Sequence, residues 1–138
     1  MSEATLSETT LSETTVSEST VSETIIRTDD GTFAMINVFE VDPERQKELA
    51  EVLSEGADKA IRHRPGCISV NIMTSLDGKR LVYYAQWRSK RDIKATMSDP
   101  DVQFYRDKAI EIGKPDPHAY TVYAVHHPDT APETLPES

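Results

Sequence analysis

The chain has 138 residues, with 24 Asp and Glu against 15 Lys and Arg, for a net charge of −9. That length supports one ordinary domain with a real core, and the acidic balance argues against a nucleic-acid binder, whose footprint is a basic patch. A single cysteine, Cys67, rules out an internal disulfide. No apolar stretch approaches a membrane span and no basic N-region precedes an apolar run, so the expectation is a soluble, cytoplasmic protein.

The first residues repeat a five-residue unit: Leu6-Ser-Glu-Thr-Thr10, Leu11-Ser-Glu-Thr-Thr15, Val16-Ser-Glu-Ser-Thr20 and Val21-Ser-Glu-Thr-Ile25. A period of five gives a helix no continuous apolar face, and it sends successive apolar residues of a strand to alternate sides. One small apolar residue per unit cannot offset an ordering entropy of roughly 1–2 kcal/mol per residue. Residues 1–30 therefore read as a disordered acidic tail, 31–128 as the folded domain and 129–138 as a flexible, Pro-rich C-terminal tail.

Thr32 to Val41 reads as the first strand, with Phe33, Met35, Asn37 and Phe39 on one face and Ala34, Ile36 and Val38 on the other. Asp42-Pro43 then opens a helix, with Asp as N-cap and Pro at the first helical position. Its apolar stripe is Leu49, Val52, Leu53, Ala57, Ala60 and Ile61, and Pro65-Gly66 stops it. Cys67 to Ser75 is a second strand, with Ile68, Val70 and Ile72 opposed to Ser69, Asn71 and Met73. Asp77-Gly78 is a strong hairpin signal that pairs this strand antiparallel with the next.

That next strand, Leu81 to Ser89, holds the only Trp. Leu81, Tyr83, Ala85 and Trp87 share one face, and Val82, Tyr84 and Gln86 the other, so both faces call for cover. Ser89, three residues before Asp92, caps a short helix reaching about Met97. A further helix runs from about Pro100 to Ile112 and stops at Gly113 in the usual glycine position. Tyr120 to His126 alternates and reads as the last strand. The order strand, helix, strand, strand, helix, strand predicts an α+β, ferredoxin-like βαββαβ domain with one antiparallel sheet and helices on one face. The sheet's second apolar face predicts association through it.

The run Tyr84-Ala-Gln-Trp87, then Arg88-Ser89, a helix and Asp99-Pro100, resembles the antibiotic biosynthesis monooxygenase family. The likeness spans about Phe33 to Pro128 and takes in Pro65-Gly66, Asp77-Gly78 and Pro117-His118-Ala-Tyr120. It implies a dimeric α+β barrel, a homodimer whose sheets face each other, and by analogy it puts Val70 on the paired face. It also implies a cofactor-independent monooxygenase that oxidises an electron-rich phenolic or hydroquinone-type aromatic with O2, in secondary-metabolite tailoring. The alternative is a non-oxidative dimeric barrel that binds or cyclises a small hydrophobic metabolite.

The residues themselves are consistent with this. Five glycines spread through turns build no phosphate loop for a flavin or nicotinamide, so no cofactor is expected, with reduced flavin left open. His63, His118, His126 and His127 lack metal-ligand spacing, and no metal is expected. Ground-state O2 is a triplet and reacts with closed-shell molecules only when they are anions able to give up one electron. Such a site must bind an aromatic, favour its deprotonated form and exclude water. Trp87 and Tyr83 could supply an aromatic wall, and Arg106, beside the apolar stripe of its helix, a fixed positive charge. These three are the catalytic candidates. Asn37, Asn71, Met73, Ile93 and His118, the last read as part of a Pro-rich loop, are candidates for substrate binding. The resemblance implies that the quinone-forming relatives keep Trp87 and Arg106. They have asparagine in place of Tyr83, histidine in place of Met73 and tyrosine in place of Ile93, so the proton-handling groups differ here.

Overall fold

A computed structural model describes residues 22–129. Most of the repeat and of the C-terminal tail, with the expectations placed on them, lies outside the described residues. The chain forms β1 (Phe33–Glu40), a 3-10 turn (Pro43–Arg45), α1 (Gln46–Gly56) running into a π turn (Ala57–Ile61), β2 (Cys67–Thr74), β3 (Arg80–Trp87), α2 (Lys90–Met97), α3 (Pro100–Ile112) and β4 (Pro117–Tyr120). The strands make one antiparallel sheet in the order β2-β3-β1-β4, the ferredoxin-like arrangement, with α2 added between β3 and α3. Among the described residues no helix is long and apolar enough to cross a membrane.

The local signals act as the residue types require. Pro43 and Pro100 stand at first helical positions, where a missing N–H costs nothing. Ser89 Oγ accepts from the Asp92 N–H at 3.2 Å and donates to the Asp92 carboxylate at 3.0 Å, which caps α2. Gly78 takes φ +80° in the β2–β3 hairpin, and Gly66 takes φ +85° where the helical segment turns into β2. Arg64 pairs with Asp99 at 3.1 Å, tying the end of that segment to the N-cap of α3.

Two cores form between sheet and helices. One gathers Phe39, Leu49, Leu53, Leu81 and Ala109; the other gathers Ile61, Ala85, Trp87 and Val102. Tyr83 packs against both.

Four expectations are corrected. The last strand is Pro117–Tyr120, not Tyr120–His126, so His118 is a strand residue and not part of a loop. β4 pairs Tyr120 with Ala34, and β1 begins only at Phe33, so further residues have no strand to pair with. Pro117 is tolerated because it opens an edge strand. Gly113 is extended (φ −133°, ψ 162°) and not left-handed. Glycine is needed there for close approach, since a Cβ would lie 2.9 Å from Leu49 Cδ2 and 3.1 Å from the Glu40 carbonyl.

Ile68 does not share a face with Val70 and Ile72. A bulge between Cys67 and Ser69 shifts the register, and Cys67 takes its place beside them. Val70 faces the helices, packed against the core that holds Trp87, and so does not lie on the open face. The open face of β2 carries Ser69, Asn71 and Met73, opposite Gln86, Tyr84 and Val82.

Residues 22–31 form no helix or strand, yet Thr24 bonds the Asn71 side chain and the Ile25 carbonyl accepts from Gln86.

Candidate active site

A cavity of about 310 Å³ lies between the sheet and the helices. Its floor is the helix-facing side of β1 and β3, with Met35, Asn37, Phe39 and Tyr83. Its walls are Leu53, Gly56 and the π turn on one side, and Ile93, Met97, Val102, Tyr105, Arg106 and Ala109 on the other, with Pro117 at the edge. The π turn places both Ala60 and Ile61 on the cavity, and such turns recur where helices border functional sites. Gly56 lets Tyr105 pack directly onto the helix backbone, since a Cβ there would meet Tyr105 Cβ at 2.8 Å. A larger, open depression of about 710 Å³ runs along the sheet's end, lined by charged residues such as Glu40, Lys79, Glu111 and Lys114. The smaller cavity, apolar with a few convergent polar groups, has the usual character of a ligand site.

Of the candidate residues, four converge on this cavity: Asn37, Tyr83, Ile93 and Arg106. Tyr83 lies inside, and burial holds its phenol above the ordinary tyrosine range, so it stays protonated and acts as a donor. Among the described residues its hydroxyl has no hydrogen-bond partner within the protein. Asn37 Oδ1 accepts from the Asp116 N–H at 2.9 Å, which fixes the amide and leaves its NH2 as the second donor bordering the cavity. Arg106 stands at the mouth with its side chain 50% exposed, and its carboxylate partner is the neighbouring Asp107 at 3.6 Å. That surface pair is weak, so the guanidinium is available to a bound anion.

The other four lie elsewhere. Trp87 is 2% exposed and sits in the core beside Ile61, Ala85 and Val102, without lining the cavity. An indole that packed cannot stack on a substrate; it backs the wall as a core residue. Asn71 and Met73 are on the open face of the sheet, and Met73 is 49% exposed. His118 projects from β4 opposite Ile36, on that same face, and pairs with Asp116 at 2.9 Å.

The sequence reading missed Met35, Phe39, Met97, Tyr105 and Pro117. The first two share a strand face with Asn37, and that shared face was the available signal. Among the described lining residues the titratable groups are Tyr83, Tyr105 and Arg106, with no carboxylate or imidazole. Among the described residues no three His, Cys, Asp or Glu side chains are grouped to hold a metal ion.

Comparison with known proteins follows the same lines. Residues 32–108 match the family described as antibiotic biosynthesis monooxygenase. The tetracenomycin-F1 monooxygenase of Streptomyces glaucescens is 41% identical over 85 residues, covering 62% of this chain and 76% of that protein. A monooxygenase from the gene ActVA-Orf6 of Streptomyces coelicolor, solved with nanaomycin D, superposes with a TM-score of 0.63 at 29% identity over 70% of this chain and 92% of that one. SnoaB, a cofactor-independent oxygenase from Streptomyces nogalater, gives 0.61 at 16% identity over 69% and 96%, a likeness of fold alone. The chain belongs to the antibiotic biosynthesis monooxygenase family, a family of oxidoreductases.

Proposed function

We propose that this monooxygenase oxidises a planar phenolic or hydroquinone-type aromatic of polyketide-like character with O2, without flavin, nicotinamide or metal. The observation that carries this reading is the joining, in one apolar cavity, of a fixed positive charge at the mouth with two neutral donors on the floor. The apolar walls fit fused aromatic rings. Arg106 stabilises the phenolate at the mouth, where the proton leaves to water, because guanidinium stays charged at every accessible pH. Tyr83 and Asn37 donate to the oxygen on the ring's inner side, where charge grows as the ring gives up an electron.

The balance is simple. The anion passes one electron to O2, the resulting pair combines at a ring carbon, and one oxygen atom stays there. The ring carbon's hydrogen and the phenolic hydrogen leave with the other atom as water, which converts phenol and O2 into quinone and water.

Two relatives support the assignment by what is said of them: tetracenomycin F1 as a substrate and nanaomycin D as a ligand. The open sheet face, where Met73 is exposed, supports the homodimer that the family resemblance implies.

The test is oxygen uptake by purified protein given a dihydroxyanthracene-type substrate with no additions. Uptake with quinone formation is expected. Uptake that needs reduced flavin overturns the cofactor-free mechanism, and none across such substrates leaves the binding or cyclising alternative.

A further inference from the structure

The cavity floor carries a reactive group that the proposed reaction does not use. Among the described residues the methionines are Met35, Met73 and Met97, and two of them, Met35 and Met97, line the cavity. Met35 is half-buried on the helix-facing side of β1, with Ala85 of β3 and Ala119 of β4 as its cross-strand partners. Methyl groups on either side do not cover the longer thioether. Asn37 lies two residues further along the same strand face, about 7 Å away at the usual strand rise, and Tyr83 stands diagonally opposite. A fused aromatic held by those two donors is within reach of the flexible Met35 sulfur.

The rest of the lining makes this sulfur consequential. On the reading given above, the ring carbon first holds a hydroperoxide, and its collapse to quinone requires removal of the hydrogen on that carbon. Among the described lining residues no carboxylate or imidazole is present to take it, so the collapse waits on water while the oxidant stays in the cavity. Of the side chains that line the cavity, the two thioethers are the ones that readily accept an oxygen atom. Leucine or isoleucine in their place would line the same walls inertly.

Resting on that reading, we propose that Met35 is a modification site: it takes the outer oxygen of the substrate hydroperoxide when collapse to quinone is late, and becomes methionine sulfoxide. The O–O bond breaks and an S–O bond forms. The sulfur is oxidised by two electrons and the peroxide is reduced by two. The proton of the outer oxygen moves to the oxygen left on the ring, so the substrate departs hydroxylated. The sulfoxide sets a polar group on an apolar floor, and the enzyme loses activity with use.

The test follows the unmodified protein through turnover of the dihydroxyanthracene-type substrate under isotopically heavy O2, with catalase present to remove free peroxide. Met35 and Met97 fall on separate tryptic peptides, 28–45 and 95–106, which mass spectrometry reads independently. Sulfoxide at Met35 should grow with the quinone formed and should carry the heavy oxygen. Hydrogen peroxide added without substrate should instead favour Met97, which is 38% exposed. The ratio of Met35 to Met97 oxidation should be about tenfold higher in turnover, because a bound oxidant acts at high effective concentration. Met35→Leu, whatever its initial rate, should keep that rate over more turnovers than the parent. Quinone formation with Met35 left unoxidised overturns the site, as does unlabelled sulfoxide or a ratio equal to that from added peroxide. Absence of oxygen uptake removes the reading on which the site rests, and the site with it.

Discussion

Asn37 and Tyr83 are direct cross-strand partners on β1 and β3, and both border the cavity. Side chains so paired sit about 4.5–5.5 Å apart at Cβ, so the two donors act on one small region of the ligand. Tyr83→Phe keeps the ring and removes one donor. Because the buried hydroxyl has no partner among the described residues, stability should hold or rise by up to about 1 kcal/mol. Turnover should drop by roughly tenfold, as expected for one lost transition-state hydrogen bond. Denaturant titration and kcat on the same preparation check both.

Arg106→Met keeps most of the side chain's length and removes charge and donors. With a half-exposed side chain and a weak surface pair, the variant should fold as the parent does. Turnover should fall, and part of it should return as pH rises and the substrate ionises unaided. A pH profile of kcat/KM that keeps its shape in the variant would remove Arg106 from the mechanism.

Trp87→Phe tests the corrected place of the indole. A residue 2% exposed in the core leaves a void when shortened, and the expected loss is about 1–3 kcal/mol. Activity per folded molecule should stay close to that of the parent. A large rise in KM without loss of stability would put Trp87 back at the substrate.

The buried phenol of Tyr83 makes an alkaline prediction. Its folded pKa lies above its unfolded value of about 10, so the unfolded chain loses that proton first. Above about pH 10 the unfolded state therefore binds fewer protons, and stability falls as pH rises further. Below that pH both states are neutral and the group contributes no slope. Thermal melts across this window should fall less steeply for Tyr83→Phe than for the parent.

Pairing through the open sheet face is tested at Met73, since Val70 is turned toward the helices. Met73→Asp on an exposed side chain should leave the monomer folded. In a paired sheet it would bury an unpaired carboxylate and shift light scattering toward the monomer. A fully dimeric variant would place the interface elsewhere.

The elements were legible in the sequence because their signals are local. Asp42-Pro43, Ser89 with Asp92 and Asp77-Gly78 each act within a few residues, and the alternation of Leu81 to Trp87 fixed an interior strand. What was not legible depended on distant partners. The Tyr120 to His126 segment alternates like a strand, but where β4 ends is decided by where β1 begins. Ile68 reads as a partner of Val70 until a bulge opposite Trp87 and Gln86 removes it from that face. At the site, the helix face of Arg106 and the strand face of Asn37 followed from periodicity. Periodicity alone could not tell that Trp87, on the same strand face as Tyr83, would sit beneath the wall and not in it.

Among the described residues the cavity lining holds no carboxylate and no imidazole. On the proposed mechanism the proton leaves to water with the help of the Arg106 charge alone, so the enzyme should favour compounds whose phenol ionises readily beside a guanidinium. Across a series of equally shaped phenols, kcat/KM at fixed pH should rise as the phenol's own pKa falls toward that pH and then decline, because the substituents that ease ionisation also make the anion a poorer reductant for O2. Changes in ring substituents far from the reacting carbon would then alter the rate through electronics alone, even where they touch nothing in the protein.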